Sequence, residues 1–288
     1  MQGVGTYGGT NTAACWSGTI WGDCPEEALR ERNSADRAGF LYEKHFTAIP
    51  GGSIPTTEGA FGDLALFSST GGTAVGDTTE VGGGLKIGSD GDNEGVGIRT
   101  VIVPSLIALT AGDFWFEARM LTSTITDAKH NIFLGLFENV SLTATVPITA
   151  AGALSDNNMI GFQRPESART TAGTGGAIMN AVYKADGQTA VNAQTDAVTL
   201  VAATYTNLGM KFVPKRQYGG NGVGAGYFTW YQDGVQVAKY LVTSTAGNPF
   251  PNDVNLGFCF AVLNATATTP GTSTIKSIRM AQLITALP

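Results

Sequence analysis

Residues 113–121 read DFWFEARML. Taken two at a time, Phe114, Phe116, Ala118 and Met120 fall on one side and Trp115, Glu117, Arg119 and Leu121 on the other. A short aromatic-rich run with this alternation is a strand, and its first face belongs against a core. The same period recurs in TNLGMKFV (206–213), where Leu208, Met210 and Phe212 share the apolar face and Lys211 lies opposite. In YFTWYQDGVQVAKY (227–240), Asp233-Gly234 is a two-residue turn between β-rich arms and predicts a hairpin.

Working outward, the pattern from about residue 61 is strand after strand. FGDLALF (61–67), GVGIRTVIV (95–103), NIFLGLFE (131–138), NMIGFQR (158–164) and AIMNAVYK (177–184) precede or flank the stretches above, and NLGFCFAVL (255–263) and STIKSIRMAQLI (273–284) close the series. GGTAVGDTTEVGGG (71–84), ARTTAGTGGA (168–177) and YGGNGVGAG (218–226) read as loops by composition. About a dozen strands without helices between them predict an antiparallel sandwich or barrel. The length of 288 residues and the long connections favour an all-β, two-sheet jelly-roll sandwich, and the lack of an internal repeat argues against a propeller. Composition agrees: 43% apolar, 39 glycines, and 14% charged residues against roughly 25% in an average soluble domain.

The first 22 residues are rich in Gly, Thr and Asn, with isolated apolar points at Tyr7, Trp16, Ile20 and Trp21. Such a segment is expected to be an extended arm that docks on a neighbouring subunit, or else a terminal stretch folded back onto its own domain. DCPEEALRERNSADRA (23–38) predicts the one short helix: Pro25 suits a first helical position, Glu26 and Glu27 the positive end of the dipole, and Glu26 supports Arg30. FLYEKHFTAIPGGSIPTTEGAF (40–61) reads as extended or looping. The expected division is an arm with a short helix over 1–50 and a jelly roll over 51–288.

A net charge of −6 and the absence of any basic run speak against nucleic acid as a partner, because phosphate binding needs clustered Lys and Arg. No apolar run approaches the ~20 residues that span a membrane, and MQGVGTYGGTNTAAC lacks the basic and apolar regions of a signal peptide. Cys259 reads as a buried small hydrophobe; Cys15 and Cys24 are free to pair or not. The two histidines, His45 and His130, sit in neither G-x-S-x-G nor H-E-x-x-H, and the strand at 113–121 carries the single carboxylate Glu117 where a glycosidase needs a pair. No catalytic residue, metal or cofactor is therefore expected. Most of the aromatics that would otherwise stack on a sugar, Trp115, Trp230, Tyr231 and Tyr227, are expected in the core. The oxygen-rich SDGDNEG (89–95) fails the calcium-loop count, since the twelfth position from Asp90 is Val101. It reads as a corner between two strands.

From about Trp21 to Leu283 the chain resembles a family of tailed-bacteriophage virion proteins with a concanavalin-like (laminin-G-like) jelly roll. The resembling stretches are IWGDCP, TTEGAFG, LKIGSDGDNEG, FWFEARMLTSTITDAKHNIFLGLFE, TATVPITAAGALSDNNMIGF, VYKADG, LGMKF, FTWYQDGVQVA, FPNDVNLGFCFAVLNATATT and IRMAQL. YGGNGVGAG departs from the pattern as a longer Gly-rich insertion. The resemblance implies a non-enzymatic structural protein that decorates or cements the outside of a capsid by binding the major capsid protein. It also implies synthesis in the host cytoplasm, location on the virion surface, and a homo-oligomer, with a trimer as first expectation. Tyr7, Trp16, Ile20 and Trp21 would then be the capsid-binding anchors of the arm. The alternative is a carbohydrate-binding module on virion or tail that aids host attachment, with a surface glycan as partner.

Overall fold

In a computed structural model of the chain, the alternation at 113–121 becomes a strand whose first face, Phe114, Phe116, Ala118 and Met120, is fully buried. The structure describes residues 16–26, 29, 39–46, 59–68, 72–77, 83–89, 94–101, 105–106, 112–126, 131–138, 142, 146–149, 152–165, 177–214, 225–243, 249–251, 254–264 and 271–283. In chain order these form α1 (Gly18–Trp21), β1 (Gly39–His45), β2 (Gly59–Phe61), β3 (Leu64–Ser68), β4 (Gly72–Gly76) and β5 (Leu85–Ser89). Then come β6 (Gly95–Thr100), β7 (Ser105–Leu106), β8 (Phe114–Thr122), β9 (Asn131–Glu138), β10 (Met159–Arg164) and β11 (Ile178–Lys184). β12 (Val191–Thr199), β13 (Thr206–Pro214), β14 (Ala225–Gln232), β15 (Val235–Thr243), β16 (Asn255–Leu263) and β17 (Thr272–Leu283) complete the fold.

The strands make two antiparallel sheets. Sheet A runs β15-β14-β13-β8-β17-β5-β4, with β1 also on β17. Sheet B runs β12-β11-β10-β9-β16-β6-β3-β2, with β7 on β16. The all-β sandwich is thus as expected from the alternations. SDGDNEG links β5 of sheet A to β6 of sheet B, so it is a sheet-changing corner; its residues 90–93, like Tyr7, Cys15 and His130, lie outside the described residues.

The core fills the space between the sheets. Leu208, Met210 and Phe212 of β13 enter it as the period predicts. Phe228 and Trp230 of β14 meet Tyr183, Tyr240 and Phe250, with ring centroids 4.7–6.4 Å apart. Trp230 also donates its indole N–H to the Gly161 carbonyl across the sandwich, at 3.1 Å. At the turn, Asp233 (φ 48°) and Gly234 (φ 79°) both take the left-handed conformation that matches strand twist in a two-residue hairpin. Asp233 reinforces it by accepting the Asn207 N–H on its carboxylate at 2.9 Å and donating its own N–H to the Asn207 carbonyl at 2.8 Å.

Three features differ from the sequence reading. First, β1 occupies part of the segment read as extended or looping, apart from the sandwich, and runs in full register along β17, from Gly39↔Leu283 to His45↔Ser277. The sandwich therefore draws on residues from within 1–50. Second, α1 lies before the predicted helix. Of 23–38, Glu26 and Leu29 are helical and the Leu29 N–H donates to the Pro25 carbonyl at 3.1 Å; residues 27, 28 and 30–38 lie outside the described residues or have no described side chain. Third, β4 and β12 fall in stretches not read as strands. Cys259 is buried, and both it and Cys24 carry free thiols.

Candidate functional site

The first half of the second face of β8 is buried as well: Trp115 and Glu117 are both 0% exposed, while Arg119 and Leu121 are half-buried. This is the outer face of sheet A, and what covers it here is the chain's own residues 16–26 together with Leu29. Ile20, Trp21 and Leu29 pack there on Trp115, Tyr231 and Ala281. Gly209 makes the fit achievable, because a Cβ at that position would come within 2.2 Å of the Ile20 Cδ1. Burying Ile20, Trp21 and Leu29 there stabilises the attachment by a few kcal/mol in order of magnitude.

Under this strap lies a charged row. Glu117, Arg279 and Glu43 are register partners across β8, β17 and β1. The guanidinium of Arg279, with 4% side-chain exposure, binds Glu26 in a bidentate pair and stands 3.5 Å from Glu43 Oε2. The neighbouring indole rings of Trp21 and Trp16 lie against it, with centroids 4.4 and 5.6 Å from Cζ. Glu117 Oε2 accepts the Ser17 N–H at 2.9 Å and the Trp21 indole N–H at 2.8 Å, while its Oε1 is buried without a hydrogen-bond partner. At the strap's edge Asp23 accepts from Trp115 Nε1 at 3.0 Å and from Lys211 Nζ at 2.6 Å.

Burial raises the Glu117 carboxyl above its ordinary range, and the Ser17 and Trp21 donors and Arg279 only partly offset this. Burial acts the same way on Asp23, but there the bonds from Lys211 and Trp115 outweigh it and hold the carboxyl below its usual range. A raised folded-state value means that Glu117 favours folding below 4.5, its ordinary value, and loses that contribution as pH rises through the folded one. Glu117→Gln cannot ionise. Its melting temperature relative to wild type is therefore expected to climb as pH is raised from 4.5 toward 8, a trend that paired thermal melts across that range will read.

The structure brings three of the expected anchors together but turns two of them inward. Ile20 and Trp21 are buried on the chain's own sheet; Trp16 remains half-buried, its ring 6.0 Å from that of His45. For residues 16–26 the arrangement is the terminal stretch folded back onto its own domain, because the apolar outer face of sheet A offers these side chains a matched surface. Their partners Arg279, Glu26 and Glu43 were not apparent from spacing. The one available signal was Glu117, a lone carboxylate on the mixed face of an otherwise apolar strand.

Sheet B is covered on its outer face too. Leu142, Ile148 and Leu154 lie over Phe133, Phe137 and Met159, and Gln163 fastens this cover by donating its side-chain N–H to the Gly152 carbonyl at 2.6 Å. Of the four aromatics considered for sugar stacking, Trp115, Trp230 and Tyr231 are buried; Tyr227 is half-buried under Lys239, whose Nζ lies 4.1 Å from the ring centroid.

No family model and no curated protein matches the chain. Among solved structures it is similar to a protein of unknown function from Shewanella oneidensis MR-1, at 14% identity over 87% of this chain and 89% of that one, TM-score 0.53. It is similar to an endo-β-1,4-glucuronan lyase from the fungus Trichoderma reesei, at 11% identity over 84% and 94%, TM-score 0.51. Peanut lectin matches at 10% identity over 86% and 99%, TM-score 0.50. At such identities the likeness is one of fold, and the fold is the concanavalin-like jelly-roll sandwich of lectin type.

Proposed function

We propose that the protein is a non-enzymatic structural component of a bacteriophage particle that decorates or cements the capsid by binding the major capsid protein. The observation that supports this reading best is the strap. Part of each outer face of the sandwich is covered by the chain's own segments, and the one carboxylate of β8 is engaged in holding Ser17 and Trp21 of the strap. A body built this way is a rigid block whose contacts lie at its rim and in the residues preceding the strap. The resemblance to virion proteins supplies the partner. In this reading the strap is the root of the arm, and capsid contact falls to residues 1–15, Tyr7 among them, with Trp16 at the boundary.

Two truncations test it against shells stripped of the protein. Removing 1–15 is expected to abolish shell binding with the melting temperature unchanged. Removing 1–29 is expected to lower that temperature by several degrees as well, because Trp115 and Glu117 become uncovered. Full decoration by the shorter truncation would remove the arm, and absence of the protein from purified particles would end the virion reading.

A second reading, carbohydrate binding in aid of host attachment, is favoured by Trp16, a half-exposed indole beside His45 and Arg279. A lectin and a polysaccharide lyase share the sandwich. Micromolar binding on a glycan array that is lost in Trp16→Ala would favour it.

A further inference from the structure

The outer face of sheet A continues past the strap. One row beyond Glu117, Arg279 and Glu43, the register partners across β13, β8, β17 and β1 are Asn207, Arg119, Ser277 and His45. The row offers an amide, a guanidinium, a hydroxyl and an imidazole, and it holds no carboxylate. Arg119 stands out in it. Among the described residues the other arginines are bound: Arg99 and Arg164 donate to the carbonyls of Thr100 and Thr126, and Arg279 to Glu26. The half-buried Arg119 pairs with no carboxylate of the described residues, and its Nε is buried without a hydrogen-bond partner. Taking a guanidinium partly out of water costs free energy unless an anion or acceptors replace that water.

The surroundings add charge and rings. Ser277, the neighbour of Arg119 across the ladder, is fully buried, and its Oγ also lacks a hydrogen-bond partner. Lys276, the extra residue where the register of β17 shifts, brings its Nζ to 5.1 Å from the Tyr205 ring centroid; Arg119 Cζ lies 5.1 Å from the same centroid. At the β1 end the half-buried Trp16 has its ring 6.0 Å from that of the exposed His45. The acids at the two ends of the row are engaged. Glu43 holds His45 and faces Arg279, and Asp233 accepts the Asn207 N–H.

From these observations we infer that this ledge binds an acidic saccharide, a glycan whose sugars carry carboxylates. Arg119 pairs with the sugar carboxylate, the contact for which a guanidinium fork is shaped, and Lys276 adds positive charge beside it. Tyr205 at the β8 end and Trp16 at the β1 end border the sugar with aromatic surface, and the neutral donors of the row face its hydroxyls. The chain's own first segment does not supply the anion, since residues 1–15, MQGVGTYGGTNTAAC, contain no acid. With a net charge of −6 on the whole chain, the attraction is local and is weakened by salt. The inference rests on the carbohydrate-binding reading, to which it adds the class of glycan, and it does not depend on the virion reading.

Titration calorimetry of the full chain at low salt tests it with trigalacturonate, a hyaluronan hexasaccharide and sialyllactose, each against its methyl ester. At least one acid form is expected to bind about tenfold or more tighter than its ester. Arg119→Gln is expected to erase that preference without lowering the melting temperature, because it removes an uncompensated charge; Trp16→Ala is expected to weaken acid and ester alike. No binding by any acid form, equal binding of acid and ester, an acid preference that survives Arg119→Gln, or polyglutamate binding as tightly as the saccharide would each overturn it. Neutral glycans that bind alone and are lost in Trp16→Ala would overturn this inference and leave the carbohydrate-binding reading standing. Binding of no glycan at all would end both.

Discussion

Arg279→Ala is expected to destabilise the protein by about 3–5 kcal/mol, the range for removing one partner of a buried ion pair. The guanidinium is almost wholly buried beside Trp21 and Trp16 and compensates carboxylates on β8, β1 and the strap. Its loss leaves Glu117 buried without that cation, removes the bidentate partner of Glu26, and opens a hole beside the Trp21 indole. Urea unfolding should show the midpoint fall with little change in slope, and the melting temperature should drop by on the order of 10 °C. A companion variant separates charge from packing. With Glu117→Leu added to Arg279→Met, the buried charges are replaced by apolar volume, and much of the stability should return. If the double variant is no better than Arg279→Ala, the loss belongs to the strap's hydrogen bonds and not to the uncompensated carboxylate.

Trp230→Ala is expected to cost a similar amount, about 3–5 kcal/mol, through the cavity left by the largest side chain of the core. It adds the loss of the indole N–H bond to the Gly161 carbonyl, about 0.5–1.5 kcal/mol. Trp230 touches both sheets: its ring packs on Phe228 and Tyr183, and its N–H reaches β10. Trp230→Phe keeps much of the volume and loses only the hydrogen bond, so it should fall between wild type and Ala. Near-UV circular dichroism alongside chemical unfolding reads both effects. Equal losses for Phe and Ala would mean that the hydrogen bond dominates the ring.

The two charged and aromatic sites differ in how far the sequence announces them. Trp230 was expected in the core with most of its neighbouring aromatics, though alternation did not choose between the two faces of β14; β8 and β13 were legible from one apolar and one mixed face, and the β14–β15 hairpin from its Asp233-Gly234 turn. β12 was not, because VNAQTDAVT is an edge strand whose inward positions, Val191, Ala193 and Ala197, are small or only partly buried. In β4 the pattern is too short between its glycines. In β1 the inward series Phe40, Tyr42, Lys44 ends in a charge, which Asp63 binds at 2.7 Å. The strap site was hidden for another reason. Glu26 and Arg279 are 253 positions apart, and no periodicity connects them; only the closed sheet sets them together. Trp16, Ile20 and Trp21 were visible as isolated apolar points, yet their direction depends on a surface that β8, β13 and β17 build jointly.

The pairing of β1 with β17 also sets a timetable for the chain's birth. Gly39 must find Leu283, and His45 must find Ser277. At roughly 5–20 residues per second of synthesis, β1 emerges on the order of ten to fifty seconds before the strand that receives it. β17 is also the neighbour of β8 and β5, so sheet A stays split until that strand leaves the ribosome. Contacts this distant make folding slow. A chain cut short before residue 272 would expose both halves of the sheet, and quality-control proteases would have an unambiguous mark by which to tell it from a finished molecule.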